Sequence, residues 1–442
     1  MKVVGLVTEY NPFHNGHKYH IEEAKKITGA DYVIAVMSGN FVQRGTPAII
    51  DKYTRAEMAI RNGVDLVFEL PVCYATASAE FFALGAVSLL DKLGIVDEIC
   101  FGSECGDITL VKEIARILVN APKEYDTILS SYMKEGLTFP AAREKAFTQY
   151  LLDNNLLSDK SREQLTKVLS EPNNILGIEY VKALLSLSSS IKPVTIQRKV
   201  AGYHDKELNN QDKQADCNNT PSSISSATAI RTFFMNAHDV NQLSPIADSV
   251  PHDVYESLVS NYHKTYPITE DTFANIIRYK LLSEDHATLS SYLDITEDLA
   301  DRMKNIANLN FTMEELVHHL KTRNLTLTRI NRALLHILLN IRKDTFDTYN
   351  ENGYTAYARI LGIKKESSHL LRTIAEVGRI PIIRKVSQAS KQIAPLAMQM
   401  LSEDLFATHL YNQAVYERYG TSLPNEYRRG IVIVSEQICI PE

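Results

Sequence analysis

The stretch that decides the fold runs Thr8–Glu9–Tyr10–Asn11–Pro12–Phe13–His14–Asn15–Gly16–His17. Before it, Lys2–Val7 is a short apolar run that reads as a strand. After it, His14–Ile27 has helical spacing and stops before Gly29. The stretch is therefore a turn from strand into helix. In a parallel sheet such a turn lies beyond the carboxyl end of its strand, where ligands bind. Pro12 stiffens the approach. His14 and His17 stand three apart, on one face of the first helical turn. The free N–H groups of that turn and the helix dipole favour an anion. Gly16 lets a phosphate or a flat ligand come close to the backbone. Two imidazoles beside a phosphate donate hydrogen bonds worth roughly 1.5–3 kcal/mol each when charge-assisted. If those bonds strengthen as charge builds on the transferring phosphorus, they become catalysis. The other readings are capping or surface histidines, or a metal site from the His14, His17, His20 spacing. His20 drifts round the helix away from His14 and no carboxylate partner stands nearby, so no metal ligand is assigned.

Outward from this turn, strands and helices alternate. Asp31–Met37 and Val64–Leu70 read as the second and third strands, and Val96–Phe101 as the fourth. Asp51–Asn62 and Ala79–Leu93 read as the helices between them, closed by Gly63 and Gly94. Alternation of this kind predicts a parallel sheet with crossover helices, and near-continuous apolar strands predict cover on both faces. From about 107 to 187 the periodicity is helical. Val194–Val200 returns a strand, residues 207–222 form a polar loop, and Ser226–Met235 is a helix. Beyond 237 helices dominate. Thr326–Ile341 is the most amphipathic, with Leu327, Ile330, Leu334, Leu335 and Leu338 on one face. Residues 379–385 and 431–435 read as short strands. The expected organisation is an α/β domain over 1–236 and a mostly helical domain over 237–442.

The 442 residues exceed one ordinary core. With 45% hydrophobic and 23% charged residues, the chain is neither disordered nor fibrous. No apolar run approaches the roughly 18 residues of a membrane span, and the start lacks a signal-peptide core. A cytoplasmic location is expected. The five cysteines are widely spaced without a CxxC pair, which speaks for buried thiols rather than disulfides or a thiolate zinc site. Residues 301–400 hold sixteen Lys and Arg against eight Asp and Glu, +8 inside a chain of net −6. That window is either a polyanion-binding surface or a solvated helix face.

Asn11–Pro12–x–His14–x–Gly16–His17, after a strand and opening a helix, resembles the HxGH signature of the HIGH-type nucleotidyltransferase superfamily. Ser225–Ser226–Ala227–Thr228–Ala229–Ile230–Arg231 is similar to its downstream phosphate-binding element, with Ala227 where a second hydroxyl is usual. The chain resembles one branch more closely, the tRNA(Met) cytidine acetate ligase family. That resemblance runs through GLVTEYNPFHNGH (5–17), MSGNFVQRGTPAIIDKYTRAEMAIRNGVDLVFELP (37–71), ATASAEFFALGAVSLL (75–90) and FGSE (101–104). It continues in EPNNILGIEYVKAL (171–184), IQRKVAGYHD (196–205) and SSATAIR (225–231).

The resemblance implies a Rossmann-like nucleotidyltransferase domain and a basic, tRNA-binding helical domain. It implies that ATP is held by Val7, Thr8, Glu9, Tyr10, Asn11, Pro12, Phe13, His14, Asn15, Gly16, His17, Lys18, Tyr19 and His20. Gly102, one of Asn173 and Asn174, Arg198, Ser226, Thr228 and Arg231 complete the implied set. The other of the two asparagines would cap its helix. His14, His17 and Arg44 are the expected catalytic residues. Arg44, in the loop Gly39–Gly45, reads either as a cation for a carboxylate or cytosine or as a surface residue. Gly102 reads either as a floor for adenine or ribose or as a strand-end turn. Tyr203–His204–Asp205 reads as a local turn. The implied reaction activates acetate with ATP, accompanied by Mg²⁺, and acetylates the wobble cytidine of elongator tRNA(Met). The alternatives are a small-molecule adenylyltransferase or acetate:holo-lyase ligase of the same superfamily, and a non-catalytic RNA-binding protein.

Overall fold

The computed structural model describes residues 1–154, 168–198, 226–310 and 312–435. The polar loop at 207–222, the turn at 203–205, Ser225, Cys217 and Cys439 lie outside the described residues, as does the end of the strand expected to reach Val200.

The element order follows the sequence reading through the first hundred residues. β1 (Val3–Thr8) leads into α1 (Asn15–Thr28), then β2 (Tyr32–Ser38). A small antiparallel hairpin follows, β3 (Phe41–Val42) with β4 (Thr46–Pro47). Then come α2 (Lys52–Arg61), β5 (Leu66–Leu70), the helix Ala79–Leu93 and β6 (Glu98–Ser103). β7 (Lys192–Gln197) pairs parallel with β6. The parallel core is ordered β5-β2-β1-β6-β7. Side chains alternate between two covered faces. Ile34 and Val36 enter one core cluster, while Val33, Ala35 and Met37 enter the other. Both faces carry helices, which is why the strands read as continuous apolar runs.

The second half is mostly helical but also extends this sheet. β8 (Ala358–Lys364) runs antiparallel along β5, β9 (Ile382–Ile383) pairs with β8, and β10 (Val432–Val434) joins the far end of β8. The sheet therefore crosses the position 236 at which the sequence divides. The two short C-terminal strands were expected; β8 was not. The helix Leu327–Leu339 packs through Ile330, Leu334, Leu335 and Leu338 as expected, but Leu327 is exposed at its first turn. Among the described residues no helix is long and apolar enough to cross a membrane.

Buried charge ties the halves together. The Lys52 ammonium lies 2.7 Å from Glu69, 3.1 Å from Glu426 and 2.9 Å from the Thr408 hydroxyl. Arg359, on β8, pairs with Glu426 and lies 3.4 Å from Glu69. Tyr53 donates to Glu426 at 2.8 Å. Two cations thus meet two carboxylates with almost no solvent. Burial opposes ionisation of Glu426, yet Lys52 and Arg359 hold its carboxyl well below the usual range. Removing one member of such a cluster typically costs roughly 3–5 kcal/mol, because its partner is left charged and dry.

The hairpin is seated by one glycine. Gly45 has φ +81°, and a Cβ there would stand 2.3 Å from the backbone nitrogen of Arg332 on the helix Leu327–Leu339. Gly420 has a similar φ of +68° with nothing within 4 Å. Gly45→Ala should lower the unfolding free energy by about 2–4 kcal/mol, combining left-handed strain with overpacking, and Gly420→Ala by only about 1 kcal/mol. Urea melts of the two variants compare them directly; equal losses would mean that the hairpin does not depend on this close approach.

Candidate active site

The turn after β1 is built from its backbone outward. Tyr10 adopts a left-handed φ of 48° and the Asn11–Pro12 peptide is cis. The Asn11 side chain accepts the N–H of Ile49 at 2.9 Å. Its carbonyl accepts Arg231 Nη1 at 2.8 Å, bringing in a residue 220 positions away. Arg55, fully buried on α2, donates to the carbonyls of Glu9 (2.5 Å), Ser38 (3.2 Å), Ile50 (2.9 Å) and Gly39. The ends of β1 and β2 are thereby fixed to one guanidinium.

His14 is the N-cap of α1, one position outside the helix that the sequence reading placed it in. Its Nδ1 accepts the N–H of Gly16 at 3.0 Å, and His17 Nδ1 accepts the N–H of His14 at 3.3 Å. The rings stack at 3.7 Å with 24° between planes. Tyr10 meets His17 edge-on at 4.9 Å. An Nδ1 that accepts leaves the proton of a neutral imidazole on Nε2. Both rings therefore present Nε2–H donors. The capping reading and the ligand reading are compatible, because they use different nitrogens.

Burial, then the charges of Arg198 and Arg231, push His14 down to about 3. Burial also lowers His17, helped by His14, His20, Arg198 and Arg231. Burial and Arg198 bring His20 down to about 4. His20 does diverge from the His14 pair in contact, yet it shares their field, and its Nε2 is buried without a hydrogen-bond partner. The permanent charge of the site thus rests on arginines. Arg198 follows β7, its N–H bonded to the Ser103 carbonyl at 2.9 Å. Its stem passes over Gly102, where a Cβ would sit 3.4 Å from Arg198 Cγ. Arg231 also donates to Thr228 at 3.0 Å, on the helix Ala227–Asn236. Arg44, at the tip of the hairpin, lies within the field of both Glu9 and Arg231. Glu9 accepts the N–H of Gln43 at 2.9 Å, which fastens the hairpin tip to the end of β1.

The structure brings together His14, His17, His20, Glu9, Asn11, Arg44, Arg198, Thr228 and Arg231, with Gly102 beneath Arg198. Ser226 caps its helix, its hydroxyl accepting the N–H of Ala229 at 3.1 Å. Asn15 is turned aside to the carbonyl of Asp248 at 2.8 Å. Tyr10 and Phe13 are core residues behind the turn; Tyr19 packs on the same core and Val7 on the opposite one. Thr8 ends β1, Pro12 and Gly16 shape the turn, and Lys18 is half-buried on α1.

Neither Asn173 nor Asn174 caps the helix Pro172–Ser186. That task falls to Glu104, whose carboxylate accepts the N–H groups of Asn173 (3.3 Å) and Asn174 (2.9 Å) and the Asn173 side chain (2.6 Å). Asn174, fully buried, instead accepts the N–H of Cys105 at 3.1 Å and donates to Glu171 at 2.8 Å. Sequence reasoning missed Arg55 and Glu104. A cap supplied across a long loop has no local signature; FGSE at 101–104 was the only signal. Among the described residues no three His, Cys, Asp or Glu are grouped to hold a metal ion.

The family model of the HIGH Nucleotidyl Transferase matches residues 1–424. A tRNA(Met) cytidine acetate ligase of Clostridium perfringens is 41% identical over 413 residues, covering 93% of this chain and 95% of that protein. Its namesake from Acetivibrio thermocellus is 38% identical over 435 residues, covering 98% and 100%. The crystal structure of Thermotoga maritima TmcAL bound with alpha-thio ATP superposes with a TM-score of 0.87 at 32% identity, covering 99% of this chain and 100% of that one.

The depressed histidines set a pH dependence. Unfolded, they take up protons near pH 6.5; folded, His14 and His20 resist until about 3 and 4. The unfolded state binds more protons in that window, so stability falls as pH drops from 6.5 towards 4. A His14→Gln, His20→Gln double variant should flatten that slope in denaturant titrations. An unaltered slope would mean that these rings are protonated in the folded protein.

Proposed function

The chain belongs to the HIGH nucleotidyl transferase family, among the tRNA(Met) cytidine acetate ligases, and on that premise we propose that it is an ATP-dependent ligase that acetylates N4 of the wobble cytidine of elongator tRNA(Met). The observation that carries this is the stacked pair His14 and His17, whose Nδ1 atoms both accept backbone N–H groups, within the fields of Arg198 and Arg231 at the carboxyl edge of the sheet.

The chemistry follows in two steps. An acetate oxygen attacks the α-phosphorus of ATP, the bond to the β-phosphate oxygen breaks, and pyrophosphate leaves with its electron pair. The exocyclic amine of cytidine then attacks the acyl carbon of acetyl-adenylate, AMP leaves, and the amine loses a proton. No nucleophile from the protein is required, because positioning and charge stabilisation carry phosphoryl chemistry. His14 and His17 donate to phosphate oxygens, while Arg231 and Thr228 hold the distal phosphates. Arg198 lies across the nucleotide above Gly102, and Asn173 supplies the asparagine contact, since its side chain is the more exposed of the two. Arg44 orients the acetate carboxylate. Mg²⁺ would come with ATP as part of the substrate and would neutralise charge on its phosphates; among the described residues no three His, Cys, Asp or Glu are grouped to hold it. The basic window at 301–400 supports an RNA partner. A wobble base in a single-stranded loop is accessible to such a site.

Labelled acetate, ATP and bulk tRNA test the reading. Label is expected in N4-acetylcytidine and only with ATP. Acetate-dependent pyrophosphate release without label in RNA would move the acceptor to a small molecule; neither signal from folded protein would leave a binding protein. His14→Ala and His17→Ala should each cut adenylate formation by roughly 10²-fold or more without unfolding the chain. Wild-type turnover in both would remove the site assignment. Neutralising pairs of Lys or Arg within 321–385, the buried Arg332 and Arg359 excepted, should weaken tRNA binding and make its dependence on salt shallower, by nearly one in the log–log slope for every phosphate that the variant no longer neutralises. An unchanged slope would mean that this basic window faces away from the RNA.

A further inference from the structure

An arginine-walled recess opens on the sheet edge that carries the nucleotide turn, four strands away from it. The strand registers fix its place. Thr8 pairs with Met37, Met37 with Glu69, Glu69 with Arg359, and Arg359 with Ile383. That line crosses from β1 through β2, β5 and β8 to β9. Four spacings of about 4.8 Å put Ile383 about 19 Å from Thr8 along the edge. Tyr53, Arg359, Ile383, Arg384, Arg429 and Gly430 are among the walls of the recess.

Its three guanidiniums are unequally answered. Arg359 is held by Glu426 and Glu69. Arg429 stands 4.0 Å over the Tyr53 ring, with Nη2 3.7 Å from Asp51. Arg384 is exposed, and among the described residues no hydrogen bond or ion pair engages its side chain. Lys385 and Arg428, next to Arg384 and Arg429 in the chain, are exposed as well. The recess has room for one water-sized atom, about 10 Å³. Its rim is open at Gly430, where a Cβ would meet nothing within 4 Å. Arg384 also walls a wider cavity of about 310 Å³, together with Ile380, Pro381 and Gln392.

A hole of that size takes no nucleotide whole. It takes one anionic oxygen of a group whose remainder stays outside, and a guanidinium fork matches phosphate. In a chain of net charge −6, a polyanion is held where cations are concentrated. The span back to Thr8 is longer than the step between neighbouring phosphates of a strand. We propose that the recess takes a non-bridging phosphate oxygen of the tRNA backbone, several nucleotides from the cytidine that is modified, with Arg384 as the main contact and Arg429 beside it. The wider cavity next to Arg384 leaves room for the flanking sugar. A contact of this kind sets the position of the strand and carries no sequence information. The inference rests on the RNA-acetylating reading above and adds to it the point at which the strand is gripped.

The test uses the full chain and an anticodon stem-loop in which single phosphates are replaced, one position at a time, by neutral methylphosphonates. Wild-type protein should lose affinity at a position several nucleotides from the target cytidine. Arg384→Gln should bind the unmodified stem-loop roughly 5- to 50-fold more weakly. It should lower the log–log salt slope by roughly 0.7–0.9 and lose nothing further at that position. Gly430→Glu, which sets a carboxylate at the open rim, should weaken binding likewise, and Gly430→Ala should not. Acetyl-adenylate formation without RNA should match wild type in all three. Wild-type affinity and salt slope in Arg384→Gln, or an unaltered methylphosphonate profile, would overturn the contact while leaving the ligase reading intact. Inorganic phosphate that raises the melting temperature of wild type but not of Arg384→Gln, with tRNA affinity equal in the two, would also overturn it and give the recess to a free anion. If wild-type protein acetylates no RNA at all, the ligase reading falls and the contact with it.

Discussion

One buried guanidinium sets the frame of the active site. Arg55 has no solvent exposure and spends its donors on the carbonyls of Glu9, Ser38, Gly39 and Ile50. The carbonyls of Glu9, Ser38 and Gly39 lie where β1 and β2 end, and that of Ile50 lies just before α2. Left unpaired in a dry interior, each would cost about as much as a lost hydrogen bond. A planar fork answers several of them at fixed angles, which a flexible ammonium does not. Burial draws the pKa of Arg55 down, with Asp51, Glu9 and Glu69 opposing.

The rest of the site hangs from that frame. Asn11 ties the turn to Ile49, Gln43 ties the hairpin to Glu9, and Arg231 reaches across from a distant helix to the Asn11 carbonyl. The same hydrogen bonds that shape the turn also fix the histidine tautomers. Nδ1 of each ring is used by the backbone, so Nε2 carries the proton of each neutral imidazole. Neutral imidazoles beside permanent arginine charges need no proton uptake to donate hydrogen bonds. The sheet extension through β8, and the Lys52–Glu69–Arg359–Glu426 cluster behind it, join the mostly helical second half to this edge.

Much of this was legible in the residues. β1, α1, β2, β5 and β6 follow from apolar runs punctuated by glycine and proline, because a sheet covered on both faces leaves a strong local signal. The HxGH turn and the helix with Thr228 and Arg231 were legible as motifs, and the structure joins them through one hydrogen bond. β8 was not legible. Its run ARILGIK follows a long helical region and pairs with β5, some 290 residues earlier. Nothing local distinguishes such a strand from a turn of buried helix. Arg55 reads as a surface residue of an amphipathic helix until the carbonyls it serves are known. Glu104 was passed over for a similar reason: the N–H groups it caps belong to a helix about seventy residues away.

The central claim is that this edge activates a carboxylate by cleaving ATP at its α-phosphorus. The most direct measurement is ³¹P NMR of ATP incubated with the protein, Mg²⁺, acetate and tRNA. The account requires AMP and pyrophosphate, formed only when acetate is present. ADP and inorganic phosphate would contradict it, because they would place the attack at the terminal phosphate and make the intermediate an acyl phosphate.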